Sequence, residues 1–459
     1  QDAGAAGGGR RCGKPDMGLG MTTVKPEESF VKRALSGHAS IGLLAGALIY
    51  LIAITGAMIV VHDRWQRWEQ PNMVETGESL SPQAAQASLD QVFARESDLP
   101  ATAHLYIRMP TEDLPRAVVT TDNKAWYIDD EGQVVEREAH TWTEFVMALH
   151  INLTLPIVWG MILVGALGVV LAALLITGVL AHPRIIRDAF RLRARRADDV
   201  ATLDWHNRLA VWTLPFALAI SLTGAMIGLF YVSGSALAAA AYGGDSAAAL
   251  APVFGDEPEE DTAPASTPDI VPALAFMERE YPDIEPYYVI LHDPGTAGQH
   301  IQIVGEHPRR LIFGEYYAFS ADGAFRGTVG LADGTVGQQL SASTYNLHFG
   351  NFGGLPVKIA YIVFGLALTI VVSTGTFIWL DKRERRGKAS TRLRAAWWGL
   401  VVGVPAGMVA TLIARIAIGN AAPFVPIFWI VCLGAVAIWL FRAMPNRRGR
   451  AEESPLPAE

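Results

Sequence analysis

Four histidines and four threonine–glycine pairs recur along this chain at matching intervals. His38 opens an apolar stretch that runs to Thr55-Gly56-Ala57-Met58-Ile59, and His206 opens one that runs to Thr223-Gly224-Ala225-Met226-Ile227. The His-to-Thr interval is 17 in both, and the last five residues are identical. His150, within Leu149-His150-Ile151-Asn152, leads to Thr177-Gly178 after 27 residues; His348, within Leu347-His348-Phe349-Gly350, leads to Thr374-Gly375 after 26. An ionisable residue on an apolar span is costly and calls for a function. Imidazoles at equivalent points of a repeat suggest shared ligation of a metal or haem through neutral ring nitrogens.

The elements that must position these rings are membrane helices. The chain has 459 residues, 51% of them hydrophobic, and a mean hydropathy of +0.26. Six apolar spans are predicted, at 38–62, 153–181, 207–232, 355–380, 397–418 and 424–442. At about 1.5 Å per helical residue, each can cross a hydrocarbon core of about 30 Å. Cys12 lies in a tail and Cys432 in a span, which argues against a disulfide framework. The Gly- and Ala-rich stretch before Met21 has no apolar core, so it is not expected to be a signal peptide, and Met21 is the expected native start.

Charge orients the spans. Residues 182–205 carry six arginines, 381–396 carry seven basic residues, and the tail after Phe441 adds Arg442, Arg447, Arg448 and Arg450. These segments and the N-terminus are expected on the cytoplasmic side. The loops 63–149 and 232–347 hold 16 acidic residues each, against seven and four basic ones, and are expected outside, in the periplasm of a Gram-negative cell. Both halves then run in–out–in, a parallel two-fold repeat with its axis along the membrane normal. The net charge of −8 comes from the outer loops and argues against nucleic-acid binding.

With each histidine counted into the helix it precedes, the expected division has eleven parts. They are a cytoplasmic tail (1–37), helix one (38–62), an outer domain (63–149), helix two (150–181), a basic inner loop (182–205), helix three (206–232), a second outer domain (233–347), helix four (348–380), a second basic loop (381–396), helices five and six (397–442) and an inner tail (443–459). Each outer domain reads as a small α+β unit. The first has a helix at 81–96 and strands at 103–109, 116–121 and 124–129. The second, after a flexible Ala-, Pro- and acid-rich stretch at 244–268, has a helix at 268–281 and strands at 286–292, 299–305 and 312–320. Each unit is short for an independent core, so packing on its partner or on the membrane face is expected.

In this topology His38 and His206 lie near the inner face, and His150 and His348 near the outer face. Pseudo-symmetry brings each pair together, so that two axial imidazoles serve one haem per leaflet. His62 and His182 are secondary candidates, because their repeat counterparts, Phe230 and Trp379, are not histidines. His104, His140, His292, His300 and His307 show no metal-site spacing and keep surface or substrate-contact roles open. Gly42, Gly46, Gly160, Gly165 and Gly168 fit close approach of either a macrocycle or another helix. Pro156 and Pro356 mark where spans begin, and the run from Phe145 to Leu180, about 54 Å if fully helical, must break, tilt or project.

These motifs resemble those of the PepSY-associated transmembrane family, whose members include inner-membrane ferric-siderophore reductases. The matching residues are His38 with Thr55-Gly56, Leu149-His150-Ile151-Asn152-Leu153, Trp205-His206-Asn207-Arg208-Leu209 and Leu347-His348-Phe349-Gly350, over about 30–385. The resemblance implies a four-helix core, two PepSY-like outer units, and two haems b on His38, His206, His150 and His348. It also implies reduction of a periplasmic ferric chelate in iron acquisition. Helices five and six look like a peripheral addition without histidine. No Gly-x-Gly-x-x-Gly follows a strand, so electrons are expected from a quinol or a separate cytoplasmic reductase. Trp142, Tyr345 and Asn346 are candidate acceptor contacts by proximity to the outer histidines. The competing class is a haem-free membrane-anchored binding or regulatory module. A transporter is a weaker reading, since the spans are almost free of charge apart from Arg415.

Overall fold

The computed structural model describes residues 28–77, 79–182, 198–258 and 261–444. The stretch before residue 28, including Cys12 and Met21, most of the first basic loop and the tail after 444 lie outside the described residues. Six helices are long and apolar enough to cross a membrane. They are α1 (Glu28–Ile59), α5 (Ile157–Ala181), α6 (Asp198–Gly228), α11 (Gly354–Arg385), α12 (Thr391–Ile418) and α13 (Phe424–Arg442). This is a multi-pass membrane protein. Helices α1, α5, α6 and α11 pack in a ring, each against two neighbours. At the α5–α6 contact Gly165 faces Gly228, where a Cβ on Gly165 would stand 2.7 Å from the Gly228 carbonyl carbon. Close backbone approach of this kind is what small residues permit between membrane helices.

Shorter helices carry the outer histidines. The chain turns sharply between α4 (Thr141–Ile151) and α5, so His150 sits on α4 and not on the span, in contrast to the expected helix at 150–181. Leu153 and Thr154 take positive φ values of 56° and 57° in that turn, and Pro156 directly precedes α5. A Cβ on Gly160 would lie 2.3 Å from the Asn152 carbonyl oxygen, so the turn folds back only over a glycine. In the second half, α10 (Val336–Phe349) carries His348 and ends at Gly350, whose φ of 67° is the left-handed stop of a helix. Span α11 therefore begins at Gly354, beside the start expected at 355 and marked by Pro356, and His348, which the expected division counts into it, lies on the preceding helix.

The outer strands form one sheet. β1 (His104–Arg108), β2 (Ala117–Thr120), β3 (Ala125–Ile128), β4 (Val134–Arg137), β5 (Glu285–His292), β6 (His300–Glu306), β7 (Glu315–Ser320) and β8 (Phe325–Thr328) lie in the order β4-β3-β2-β1-β5-β6-β7-β8. All pairs are antiparallel, and the halves join where β1 meets β5, with His104 opposite His292 and Arg108 opposite Tyr288. Edge strands β4 and β8 were not expected from the sequence. Successive strand residues point to opposite faces. One face, with Leu105, Ile107, Val289, Leu291, Ile301 and Ile303, is fully buried against helices α3 (Pro82–Arg95) and α9 (Val271–Glu280). Helix α3 starts where Ser81 accepts a hydrogen bond from Ala84 N at 3.2 Å with Pro82 in the first turn.

The halves differ where span meets sheet. After α1 comes the polar helix α2 (His62–Glu69); after α6 comes an apolar hairpin of α7 (Phe230–Ala241) and α8 (Ser246–Phe254). Helix α8 falls within the stretch read as flexible at 244–268; Asp245 caps it, accepting from Ala248 N at 3.0 Å. Helices α12 and α13 are not peripheral. Arg415 on α12 donates Nε to Glu69 Oε1 at 2.7 Å, and the Glu69 side chain is fully buried. Glu69 in turn accepts from Trp142 N, Thr143 N and Thr143 Oγ1 at the start of α4. Trp142 Nε1 donates to Thr411 Oγ1 of α12 at 3.1 Å. The added helices thus hold the end of the helix that carries His150.

Candidate functional site

Each of the four histidines rests in the same cradle, built by a different helix. His38 Nδ1 lies 3.0 Å from Leu174 O and 3.3 Å from Thr177 Oγ1. His150 Nδ1 lies 2.9 Å from Ile52 O and 3.3 Å from Thr55 Oγ1. His206 Nδ1 lies 2.9 Å from Val371 O and 3.2 Å from Thr374 Oγ1. His348 Nδ1 lies 3.0 Å from Thr223 Oγ1 and bonds the Ile220 backbone. In every case the carbonyl belongs to the residue three before the threonine.

The hydrogen bonds assign the tautomer. Each threonine hydroxyl donates to the carbonyl four residues back on its own helix: Thr55 to Leu51, Thr177 to Ala173, Thr223 to Ala219 and Thr374 to Ile370, at 2.7–2.8 Å. With its proton so engaged, the hydroxyl oxygen accepts from the imidazole, as does the carbonyl. Nδ1 therefore carries the hydrogen and Nε2 keeps its lone pair. Among the described residues no hydrogen bond occupies any of the four Nε2 atoms. A donor Nδ1 held by a carbonyl, with Nε2 open, is the usual arrangement of a metal-bound histidine.

The glycine after each threonine makes room for the ring. A Cβ at Gly56 would stand 2.7 Å from His150 Cε1, at Gly224 2.9 Å from His348 Cε1, at Gly375 3.1 Å from His206 Cε1 and at Gly178 3.3 Å from His38 Cε1. The histidines also meet in pairs across the two halves. The His150 and His348 rings have centroids 6.2 Å apart with planes 39° from each other. Two metal–nitrogen bonds of about 2 Å each, plus the near half of each ring, span such a gap. His206 lies close enough to His38 to interact with it electrostatically.

This donor set discriminates between kinds of metal centre. Among the described residues no three His, Cys, Asp or Glu side chains are grouped to hold an ion. A bare zinc ion commonly takes four ligands, more than a pair of imidazoles supplies. Haem brings its own equatorial nitrogens and asks the protein for axial ligands only. Paired imidazoles with open Nε2 atoms fit that group.

Beside the outer pair lies a cavity of about 1200 Å³ between sheet and membrane helices. Its floor is the free face of the sheet, with His104, Tyr106, Arg108, Tyr288, His292 and His300 pointing into it. The His292 and His300 rings stack with centroids 4.3 Å apart, and His104 meets His292 edge-on at 5.2 Å. Burial pushes His292 down to about 4, followed by the neighbouring imidazoles, so it is neutral at pH 7. Burial also pushes the Tyr316 phenol up to about 12, leaving its hydroxyl protonated. Tyr345 of α10 lines the cavity and stacks on Phe349 at 4.3 Å, and Phe349 meets the His348 ring edge-on at 5.6 Å. A continuous aromatic contact thus joins the cavity to the outer histidines.

The model of the PepSY-associated TM region matches residues 35–382. The chain belongs to the PepSY-associated transmembrane family. It is 28% identical over 262 residues to the uncharacterised protein PA4219 of Pseudomonas aeruginosa, which covers 55% of this chain and 66% of the relative. The chain therefore spans just under two thirds of that relative's length. The PepSY-associated match takes in all four cradles and stops before α12 and α13.

In this PepSY-associated protein the secondary candidates differ: His62 is engaged by a neighbouring carboxylate, whereas His182 lies near the inner pair. His62 Nε2 faces Asp63 Oδ1 at 3.2 Å, and its ring sits 6.4 Å from Phe349. His182 caps the end of α5 and interacts electrostatically with both His38 and His206. Of the proposed acceptor contacts, Tyr345 lines the cavity, Trp142 is buried among Trp65 and Trp68, and Asn346 donates to Ile312 O at 2.9 Å. Gly42 and Gly46 face the side chains of Leu174 and Thr376, and Gly168 the backbone of α6. The sequence marked the Thr-Gly pairs as ends of a repeat but gave them no role; their recurrence after every histidine was the available signal. His292 and His300 carry no signal until strand pairing brings them together.

Proposed function

We propose that this protein carries electrons across a bacterial inner membrane to a ferric chelate, most simply a siderophore, held in the outer cavity. Two haems b are the carriers, one between His38 and His206 and one between His150 and His348. The observation that carries this reading is the fourfold cradle with its open Nε2 atoms. Bound there, haem supplies one-electron oxidation and reduction. The chain's own residues do the rest. Threonine and carbonyl hold each imidazole in one tautomer and one orientation. The glycines keep the helix backbone out of the ring's path. Apolar helices exclude water, and the Tyr345–Phe349 stack supplies a continuous aromatic contact from the cavity to His348.

Each ferric ion takes one electron, so a quinol, releasing two electrons and two protons, serves two ferric ions. A separate cytoplasmic reductase is the other donor class consistent with the basic inner ends, such as Lys382, Arg383 and Arg385 at the close of α11. Those basic ends support an inward position for the termini, and the acidic sheet domain an outward one. The two-fold repeat supports one haem site in each leaflet.

The test is a reduced-minus-oxidised absorption spectrum with a pyridine haemochrome assay on purified protein. About two low-spin haems b per chain are expected, falling to about one in His206→Ala with the outer signal retained. Haem-free protein after expression with ample haem supply would refute the reading and leave a PepSY binding module.

A further inference from the structure

We propose that the outer cavity takes an amphiphile, with an oxygen-rich chelating head on the sheet and an apolar tail along the α7–α8 hairpin. The choice of a ferric chelate as head rests on the electron-transfer reading. The two-sided lining is independent of it. The floor offers imidazoles, phenols and the Arg108 guanidinium, while the roof offers Leu229, Phe230, Leu237, Leu250 and Val253. The His292 ring lies on the cavity floor, stacked on His300 at 4.3 Å and beside the Gln302 side chain, so the floor presents a polar aromatic surface to a ligand head. The volume of about 1200 Å³ exceeds the roughly 300–1,000 Å³ that houses a drug-sized molecule, so a compact head alone leaves the roof unfilled.

The roof belongs to the membrane boundary. Only Leu229 separates α6 from α7, so the hairpin is rooted where the span leaves the hydrocarbon. Helix α7 has no charged residue; Tyr231 and Leu237 line the cavity, and Val232, outside that lining, is 48% exposed. A helix apolar on every side is stable in lipid or against apolar partners. One side of α7 thus lines the cavity while Val232 on another is exposed and apolar, which gives a tail a path along the hairpin from the end of the span. The hairpin is tied to the sheet and not loose: Gln302 Nε2 donates to Phe254 O at 2.7 Å, and Gln338 Nε2 to Pro252 O at 2.9 Å. The first half has the polar sequence of α2 at this point, so the roof is a device of the second half alone.

The experiment uses gallium(III) trihydroxamate, with and without a dodecyl chain, titrated into the full-length protein in phosphatidylcholine nanodiscs. Protein-free nanodiscs supply the background. The tail is expected to tighten binding at least about tenfold. Leu237→Gln with Val253→Asn is expected to erase that gain and leave the tailless chelate unchanged, whereas His292→Leu weakens both. Equal affinity for the two chelates, a gain untouched by the roof changes, or no binding of either would overturn the proposal. Gallium undergoes no reduction here, so this readout is separate from electron transfer. Reoxidation of dithionite-reduced protein by the ferric forms tests that reading on its own.

Discussion

The first half, residues 28–182, and the second, residues 198–385, build the same pair of cradles but secure the outer histidine by different means. Helix α10, which carries His348, is capped by its own sequence: Thr335 and Gln338 form a reciprocal capping box. Helix α4, which carries His150, borrows Glu69 from α2, and Glu69 depends on Arg415 from α12. The second half is therefore self-sufficient at its outer end, while the first relies on helices outside the family region. The comparison shows that the setting of a histidine ring can be duplicated while its support is not. The parts that touch the ring are constant, and the parts that orient the outer helix were free to diverge.

The strongest way to break the equivalence is to remove Arg415. Arg415→Leu leaves a buried carboxylate unpaired, which costs about 3–5 kcal/mol. Denaturant unfolding should report that loss, and the spectrum of the outer haem should change while the inner one does not. Glu69→Gln added to Arg415→Leu should restore most of the stability. An inner-haem change of equal size would show that α12 supports the whole bundle and not α4.

Glycine substitutions sharpen the comparison within one half. Gly56→Ala places a Cβ where 2.7 Å separates it from His150 Cε1, whereas Gly178→Ala leaves 3.3 Å to His38 Cε1. The first should displace its ring and lose outer haem, and the second should retain inner haem with a modest shift in its spectrum. Smaller effects are expected from the threonines. Thr55→Val and Thr223→Val each remove one of two Nδ1 acceptors, and loss of such an outer contact costs about 10–100-fold in metal affinity. Both should fall near the low end, because the carbonyl remains; haem transfer to apomyoglobin measures the rate. Unequal losses would reveal which half holds its ring more firmly.

The smallest effect is on pH dependence in the sheet. His292 titrates near 4 when folded, against about 6.5 when unfolded. Between those values the unfolded chain binds more protons, so stability is full above about pH 6.5 and declines as pH falls towards 4. Hydrogen exchange of β5 and β6 amides should accelerate across that window, and His292→Asn should flatten the response.

The spans and the recurrence of the four histidines were readable because both rest on periodicity: apolar runs of membrane length, and histidines at repeated intervals. The partnership of each histidine with a threonine was not, because interval along the chain does not say which helix lies alongside. His38 answers to Thr177 and His150 to Thr55, each on the other's helix or its continuation. The break before α5 was legible in Pro156, which marks the start of the span, but its form was not: Leu153 and Thr154 take positive φ, which is uncommon for non-glycine residues. Strands β4 and β8 lie at the sheet edges with most of their residues exposed or half-exposed, so no apolar run marks them as it marks β2 and β3. Arg415 stood out as a lone charge on a span, yet its partner lies 346 residues away and is recognisable only in space.

That separation has a consequence for how the molecule is made. When α4 leaves the translocation machinery, the helix that carries Arg415 has not yet been synthesised, and Glu69 has no cation to meet it. The capping of α4 is then incomplete until α12 is in the membrane. A chain truncated after α11 would retain every histidine and every threonine of the four cradles, and still lack the means to set one of them. The cradle of His150 is therefore set only after α12 has followed α11 into the membrane, so its assembly waits on a helix made long after its own.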